Sequence, residues 1–136
     1  MTVLESGSTA LATPMPRVLR PQRAMPADAV RPTRAEVHLG HLRHNFHLLR
    51  RAARHAEVWC VLKADAYGHG AVPVARRLVR EGQSMFAVAR FGEAMELRES
   101  GIAQPILVLG RLFPYEIREA VRAELRLTLF GEEDLR

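Results

Sequence analysis

From Thr33 onward, short apolar runs alternate with stretches whose apolar residues recur at helical spacing. "AEVHL" reads as a short strand, and Leu42, Phe46, Leu49 and Ala53 then follow the period of an amphipathic helix over residues 41–55. "EVWCVL" is a compact apolar run of strand length. The next helix carries Pro73 in its first turn, where a missing N–H does little harm, and is expected to stop at Gly82. "SMFAVA" predicts a strand, residues 93–100 a helix ended by Gly101, and "PILVLG" a strand with Pro105 at its edge. Pro114 opens another helix running to Ala123, "LRLTLF" is the last strand, and Glu132 marks a further helix start.

Strands and helices thus alternate in repeats of about 20 to 27 residues, which predicts an α/β protein with a parallel sheet. "VWCVL" and "PILVLG" are apolar on both faces, as expected of strands buried between two layers. Four such units make half of an eight-stranded barrel, which takes about 250 residues. A doubly wound sheet closes with fewer, so the pattern leaves barrel and open sheet both standing. Neither G-x-G-x-x-G after the first strand nor G-x-x-x-x-G-K-[ST] anywhere supports a nucleotide-binding sheet.

A length of 136 residues suits one domain. Residues 1–32 are rich in Pro, Ala and Arg without a helical or strand period and read as a flexible leader, which leaves residues 33–136 as the folded portion. The formal charge of +5 raises nucleic acid as a partner. The arginines, however, are interspersed with glutamates, as in Arg76, Arg77, Arg80 and Glu81 or Glu93, Glu96, Arg98 and Glu99, and this predicts solvated helix faces with no nucleic-acid partner. Cys60 is alone, which rules out an internal disulfide framework and fits a reducing, cytoplasmic setting. No apolar run approaches the roughly 18 residues of a membrane span, and no secretory signal core is present. His38, His41, His44 and His47 recur every three residues, but that step drifts around a helix and no acid or cysteine joins the row, so polar surface is expected and no metal site.

One residue breaks the composition. Of the 20 Lys and Arg residues, only Lys63 is a lysine, and it directly follows the apolar run, at the carboxyl end of a predicted parallel strand. α/β barrels place their reactive groups at that end. A neutral amine condenses with aldehydes, whereas a guanidinium stays protonated and is a poor nucleophile. A chain that otherwise favours arginine therefore has a chemical reason to keep one lysine here. Gly68 and Gly70 allow tight turns, the helix starting near Ala71 offers N–H groups to an anion, and Tyr67 supplies a phenol four residues past the lysine.

"VLKADAYGHG" resembles the pyridoxal-phosphate attachment motif of the bacterial alanine racemases. "RAEVHLGHLRHNFHLLR", "FAVARFGEAMELRESGI" and "PILVLGRL" are similar to that family's pattern in the same order, from about Arg31 to Phe130. The resemblance implies the N-terminal half of a (β/α)8 TIM-type barrel, incomplete as it stands, with pyridoxal 5'-phosphate as cofactor. It implies Lys63 as the Schiff-base lysine and acid/base on one face of the substrate, Tyr67 as a donor to the cofactor phosphate, and Val61 and Leu109 as apolar lining of the cofactor pocket. It further implies racemisation of L- and D-alanine for peptidoglycan precursors in a homodimer, with the opposite-face tyrosine and the arginine facing the pyridine nitrogen supplied from beyond this chain. Tyr67 and Tyr115 are the only tyrosines here and neither matches that tyrosine, so the chain reads as an N-terminal fragment of a racemase. The alternative is a non-catalytic remnant that binds the cofactor or a partner at most.

Overall fold

The computed structural model describes residues 2–5, 17–19 and 35–135. Its central element is a parallel sheet of four strands in the order β4-β5-β6-β7: Cys60–Val61, Phe86–Val88, Ile106–Val108 and Arg126–Leu127. Right-handed helices α3 (Ala71–Arg80), α4 (Phe91–Glu99) and α5 (Pro114–Arg122) connect successive strands, so the α/β reading of the sequence holds. Local chemistry sets the helix ends where expected. Pro114 opens α5, and Gly82 and Gly101 follow α3 and α4 with φ of +81° and +87°, a region glycine enters without the penalty of a Cβ.

The register pairs Cys60 with Phe86 and Phe86 with Ile106, so even-numbered strand positions share one face. That face carries the core. Leu62, Phe86, Val88, Ile106 and Val108 pack with Val74, Ala75 and Leu78 of α3 and Ala94 and Leu97 of α4. Burial of each of the Leu, Val, Ile and Phe side chains among them stabilises by about 1.5–3 kcal/mol. On the opposite face Val61 and Leu109 are each 39% exposed. The expectation that these strands are buried on both faces therefore holds only in part: the helices cover one face, and on the other Val61 and Leu109 stay partly exposed while Ala87 is buried.

A second difference concerns the first predicted strand. β3 (Glu36–His38) does not join the four-stranded sheet; it pairs in parallel with β1 (Thr2–Glu5), which pairs antiparallel with β2 (Arg17–Leu19). Two short strands thus fall inside the stretch 1–32 that had shown no strand period; the rest of that predicted leader lies outside the described residues. α1 (Leu39–Ala53) begins directly after β3 and buries Leu39 and Phe46 against the main core. Among the described residues the strand edge of β4 on the α1 side has no ladder partner, and a cleft of about 550 Å3 opens there between β3, α1 and β4.

The helix faces read as solvated are only partly so. Arg77 is buried and its Nε lies 3.0 Å from Glu81 Oε1, while His47 of α1 reaches Glu81 Oε2 at 2.8 Å, so this carboxylate clamps α1 to α3. Arg98 donates to the carbonyls of Ile102 and Gln104 at 2.7 Å and of Ala123 at 2.9 Å, stapling α4 to the chain on either side of β6. Periodicity marks such residues as polar but cannot reveal acceptors that lie on other elements.

Candidate active site

The chain leaves β4 through Leu62 and enters α2 (Lys63–Gly68), a turn of helix with the opposite hand to the others. Ala64, Asp65, Ala66 and Tyr67 all have φ between 52° and 55° and ψ between 37° and 50°. Left-handed helical backbone costs roughly 1–2 kcal/mol per non-glycine residue because Cβ crowds the following carbonyl, so four in succession persist only if the surroundings hold them. They are held from several sides. Ala66 N–H donates to Leu62 O (2.9 Å), Gly70 N–H to Asp65 O (2.9 Å), and Ala71 N–H to Asp65 Oδ1 (2.5 Å). The His69 ring Nδ1 sits 2.9 Å from Ala66 O, and Glu93 Oε1 accepts from Ala64 N–H at 2.7 Å. Gly68 and Gly70, at φ of +81° and +89°, return the chain to the right-handed α3.

Lys63 therefore stands at the carboxyl end of β4, as its position after the apolar run predicts, and its Nζ lies 6.0 Å from the centre of the Tyr67 ring. One turn presents both the amine and the phenol; Tyr67 is 60% exposed. Val61 precedes Lys63 by two residues and lies on the sheet face away from the helices. Leu109, one residue past the end of β6, continues the alternation of Leu107 on that same face. The exposure of Val61 and Leu109 is inconsistent with ordinary packed core. The large cleft beside β4 is not the place where all four meet: Val61 and Tyr67 border it, Lys63 and Leu109 do not.

Two ionisable groups close to the lysine are perturbed. Burial pushes the Glu93 carboxyl up, but the N–H groups of Ala64, Arg90 and Ala89 and the charge of Arg90 outweigh that and hold it below the ordinary carboxylate range. The Cys60 thiol, on β4, is pushed up to about 11 by burial, which makes it a poor nucleophile at neutral pH. Among the histidines of the predicted row, His47 is taken up by Glu81 and the His38 and His41 rings stack at 5.0 Å.

One sequence-based expectation needs correction and two residues were missed. The N-terminus of α3 does not offer a row of free N–H groups to an anion, because Ala71 N–H is engaged by Asp65 and Pro73 has none. Asp65 and Glu93 had no assigned role; Asp65 belongs to the motif, whereas Glu93 looked like one of several acids on a solvated helix. The available signal for Glu93 was its position three residues into a helix, where a carboxylate commonly turns back to the backbone.

Residues 37–136 match the family model described as "Alanine racemase, N-terminal domain". The chain is 48% identical over 104 residues to an alanine racemase of Carboxydothermus hydrogenoformans, covering 76% of this chain and 28% of that protein. It is 57% identical over 84 residues to an alanine racemase of Sorangium cellulosum, covering 60% of this chain and 22% of that one. Among solved structures, an alanine racemase of Clostridium difficile 630 matches with a TM-score of 0.67 at 38% identity, over 71% of this chain and 26% of that one. The enzyme of E. faecalis matches with 0.73 at 31% identity, over 82% and 30%. The chain thus spans between about a fifth and a third of the length of these relatives. The parallel sheet is accordingly the start of a TIM barrel rather than an open doubly wound sheet. A sole lysine on a strained turn at the end of a barrel strand, within a match covering most of the chain, places this protein in the alanine racemase family as a bearer of its N-terminal domain.

Proposed function

We propose that this chain is the cofactor-holding part of a pyridoxal-phosphate-dependent racemase that interconverts L- and D-alanine in the cytoplasm and so supplies D-alanine for peptidoglycan. The observation that carries the reading is the placement of the only lysine on a left-handed turn beside Tyr67. The donor set fits the cofactor: an amine suits its aldehyde, a phenol its phosphate, and the exposed apolar side chains of Val61 and Leu109 its ring. Lys63 Nζ would hold the aldehyde end, Tyr67 Oη would donate to the phosphate, and Val61 and Leu109 would line the ring. When bound, the cofactor supplies an electron sink that makes the α-proton of an attached amino acid removable.

Lys63 takes or returns that proton at Nζ on one face of the substrate. A proton taken from and returned to the same face restores the starting hand, so racemisation requires a second acid/base opposite. Tyr115, stacked on Phe113 at the start of α5, does not match the family's second tyrosine and is not assigned this role. The second group is proposed to come from a partner subunit's further domain, as the family resemblance implies, with residues 33–136 forming the barrel portion. The 136-residue chain alone is expected to racemise alanine no faster than free cofactor.

The test is reductive trapping. The chain is incubated with pyridoxal 5'-phosphate, reduced with borohydride and digested, and the labelled peptide is identified by mass spectrometry. Label on the peptide containing Lys63, saturating at one equivalent, is the expected result. Label confined to the N-terminal amine overturns the proposal.

A further inference from the structure

The parallel ladder between β4 and β5 advances two residues at a time: Cys60 N–H donates to Met85 O at 3.2 Å and Leu62 N–H to Ala87 O at 2.8 Å. The next rung would run from Ala64 N–H to Ala89 O. It is not formed. Ala64 has turned left-handed, and Ala89 O accepts from Gly110 N–H at 3.0 Å instead. Gly110 is required for that approach, since a Cβ there would lie 2.6 Å from Ala89 O. Three backbone donors just past the ends of β4 and β5 go to one side chain: Glu93 Oε1 accepts Ala64 N–H at 2.7 Å, and Oε2 accepts Ala89 N–H at 2.8 Å and Arg90 N–H at 3.0 Å.

We propose that Glu93 is the positioning residue for Lys63: its carboxylate replaces the missing ladder rung and fixes the backbone on the carboxyl side of the lysine, while the Leu62–Ala87 rung fixes the other side. The first turn of α4 favours a carboxylate, and a charged acceptor binds N–H groups more tightly than a neutral one. Lys63 is thereby gripped between two bonded amides one residue away on each side, with rotation left to its side chain. Glu116 makes the matching contact at the start of α5, to Phe113 N–H at 2.8 Å, but reaches no residue of the lysine turn. Glu93 thus combines a helix cap with a tether, and only the tether bears on the lysine.

This inference rests on the function proposed for Lys63, and two readouts keep the two apart. The first is amide hydrogen exchange, which needs no cofactor. In Glu93→Gln and Glu93→Asp, exchange at Ala64 should accelerate at least about tenfold over the parent chain, with Leu62 unchanged. The second is the rate of borohydride-trapped pyridoxal-phosphate labelling at Lys63, which should fall by about ten- to a hundredfold, the loss typical of a reactive group released from its held geometry. Glu93→Asp keeps the charge and the local cap but is too short to span to Ala64, so its labelling should fall while its unfolding midpoint moves little. Glu116→Gln serves as the cap-only control and should label at the parent rate. Parent-like Ala64 exchange in both Glu93 variants overturns the tether, whatever Lys63 does. Equal loss of labelling in Glu116→Gln, or unfolding of both Glu93 variants, overturns it in favour of a general stability role. Absence of Lys63 labelling in the parent chain, with Ala64 exchange accelerated as expected in the variants, removes the proposed function and leaves the tether standing.

Discussion

The three strand-to-helix junctions of the sheet solve the same problem in two ways. After β5 and β6 the chain enters its helix through an extended residue, Arg90 or Phe113, and a glutamate three residues on accepts that residue's own N–H. At these two junctions the cap itself is local, and the entering residue has ordinary extended backbone. After β4 the chain takes a left-handed turn through four non-glycine residues and is held there by Asp65, His69 and, from another unit, Glu93. Sequence-local capping suffices where a junction only has to connect. Strain sustained by outside contacts appears at the one of these junctions that carries the lysine, and strained backbone is expected to accumulate at functional positions.

Moving the amine separates the two kinds of junction most strongly. Lys63→Arg keeps the charge but removes the nucleophile, so reductive labelling beyond the N-terminal amine should vanish. Adding Arg76→Lys to that variant places a lysine on exposed α3, where no turn holds it, and should not restore site-specific, saturable labelling. Recovery of parent-like labelling at position 76 would show that any amine serves and that the turn is incidental.

A smaller effect is expected on the ordinary side. Arg98→Met removes the donors of four carbonyls, those of Ile102, Gln104, Ala123 and Glu124, and should lower stability by about 2–3 kcal/mol in urea unfolding. Labelling of Lys63 in the folded variant should not change, because none of these contacts touches α2. A parallel loss of labelling would mean that the two kinds of junction are not independent.

The smallest effect tests the strain itself. In right-handed α1, exposed Ala52→Gly should destabilise by about 1 kcal/mol. At exposed Ala64 the same change removes a Cβ from left-handed backbone, so the cost in unfolded-chain entropy is offset and the result should be neutral or stabilising by up to about 1 kcal/mol. Equal destabilisation at both positions, read as a shift in urea midpoint, would count against a strained lysine turn.

Much of this architecture was legible beforehand, though unevenly. α3, α4 and α5 follow from apolar spacing bracketed by Pro73, Pro114, Gly82 and Gly101, because caps and periods are properties of neighbouring residues. β3 was legible as a strand but not in its pairing, since an "EVH" segment bears no mark of which edge it will join. The opposite hand of α2 was half legible: Gly68 and Gly70 announce a turn, but Ala64 to Tyr67 are residues that elsewhere would continue a right-handed helix.

The chain's own sequence determined that a single primary amine follows an apolar strand and precedes a glycine-bearing turn, and with it the chemistry open to that position. This is local information, carried by residue identity and short spacing. Which groups bond to the turn that carries the amine was set by tertiary packing. The Glu93–Ala64 contact spans 29 residues and joins two βα units, and it exists because parallel strands bring their carboxyl ends side by side while the intervening helix returns the chain across the sheet. Arg98 and Glu81 follow the same logic: the sequence marks them as charged, and packing selects their acceptors and donors.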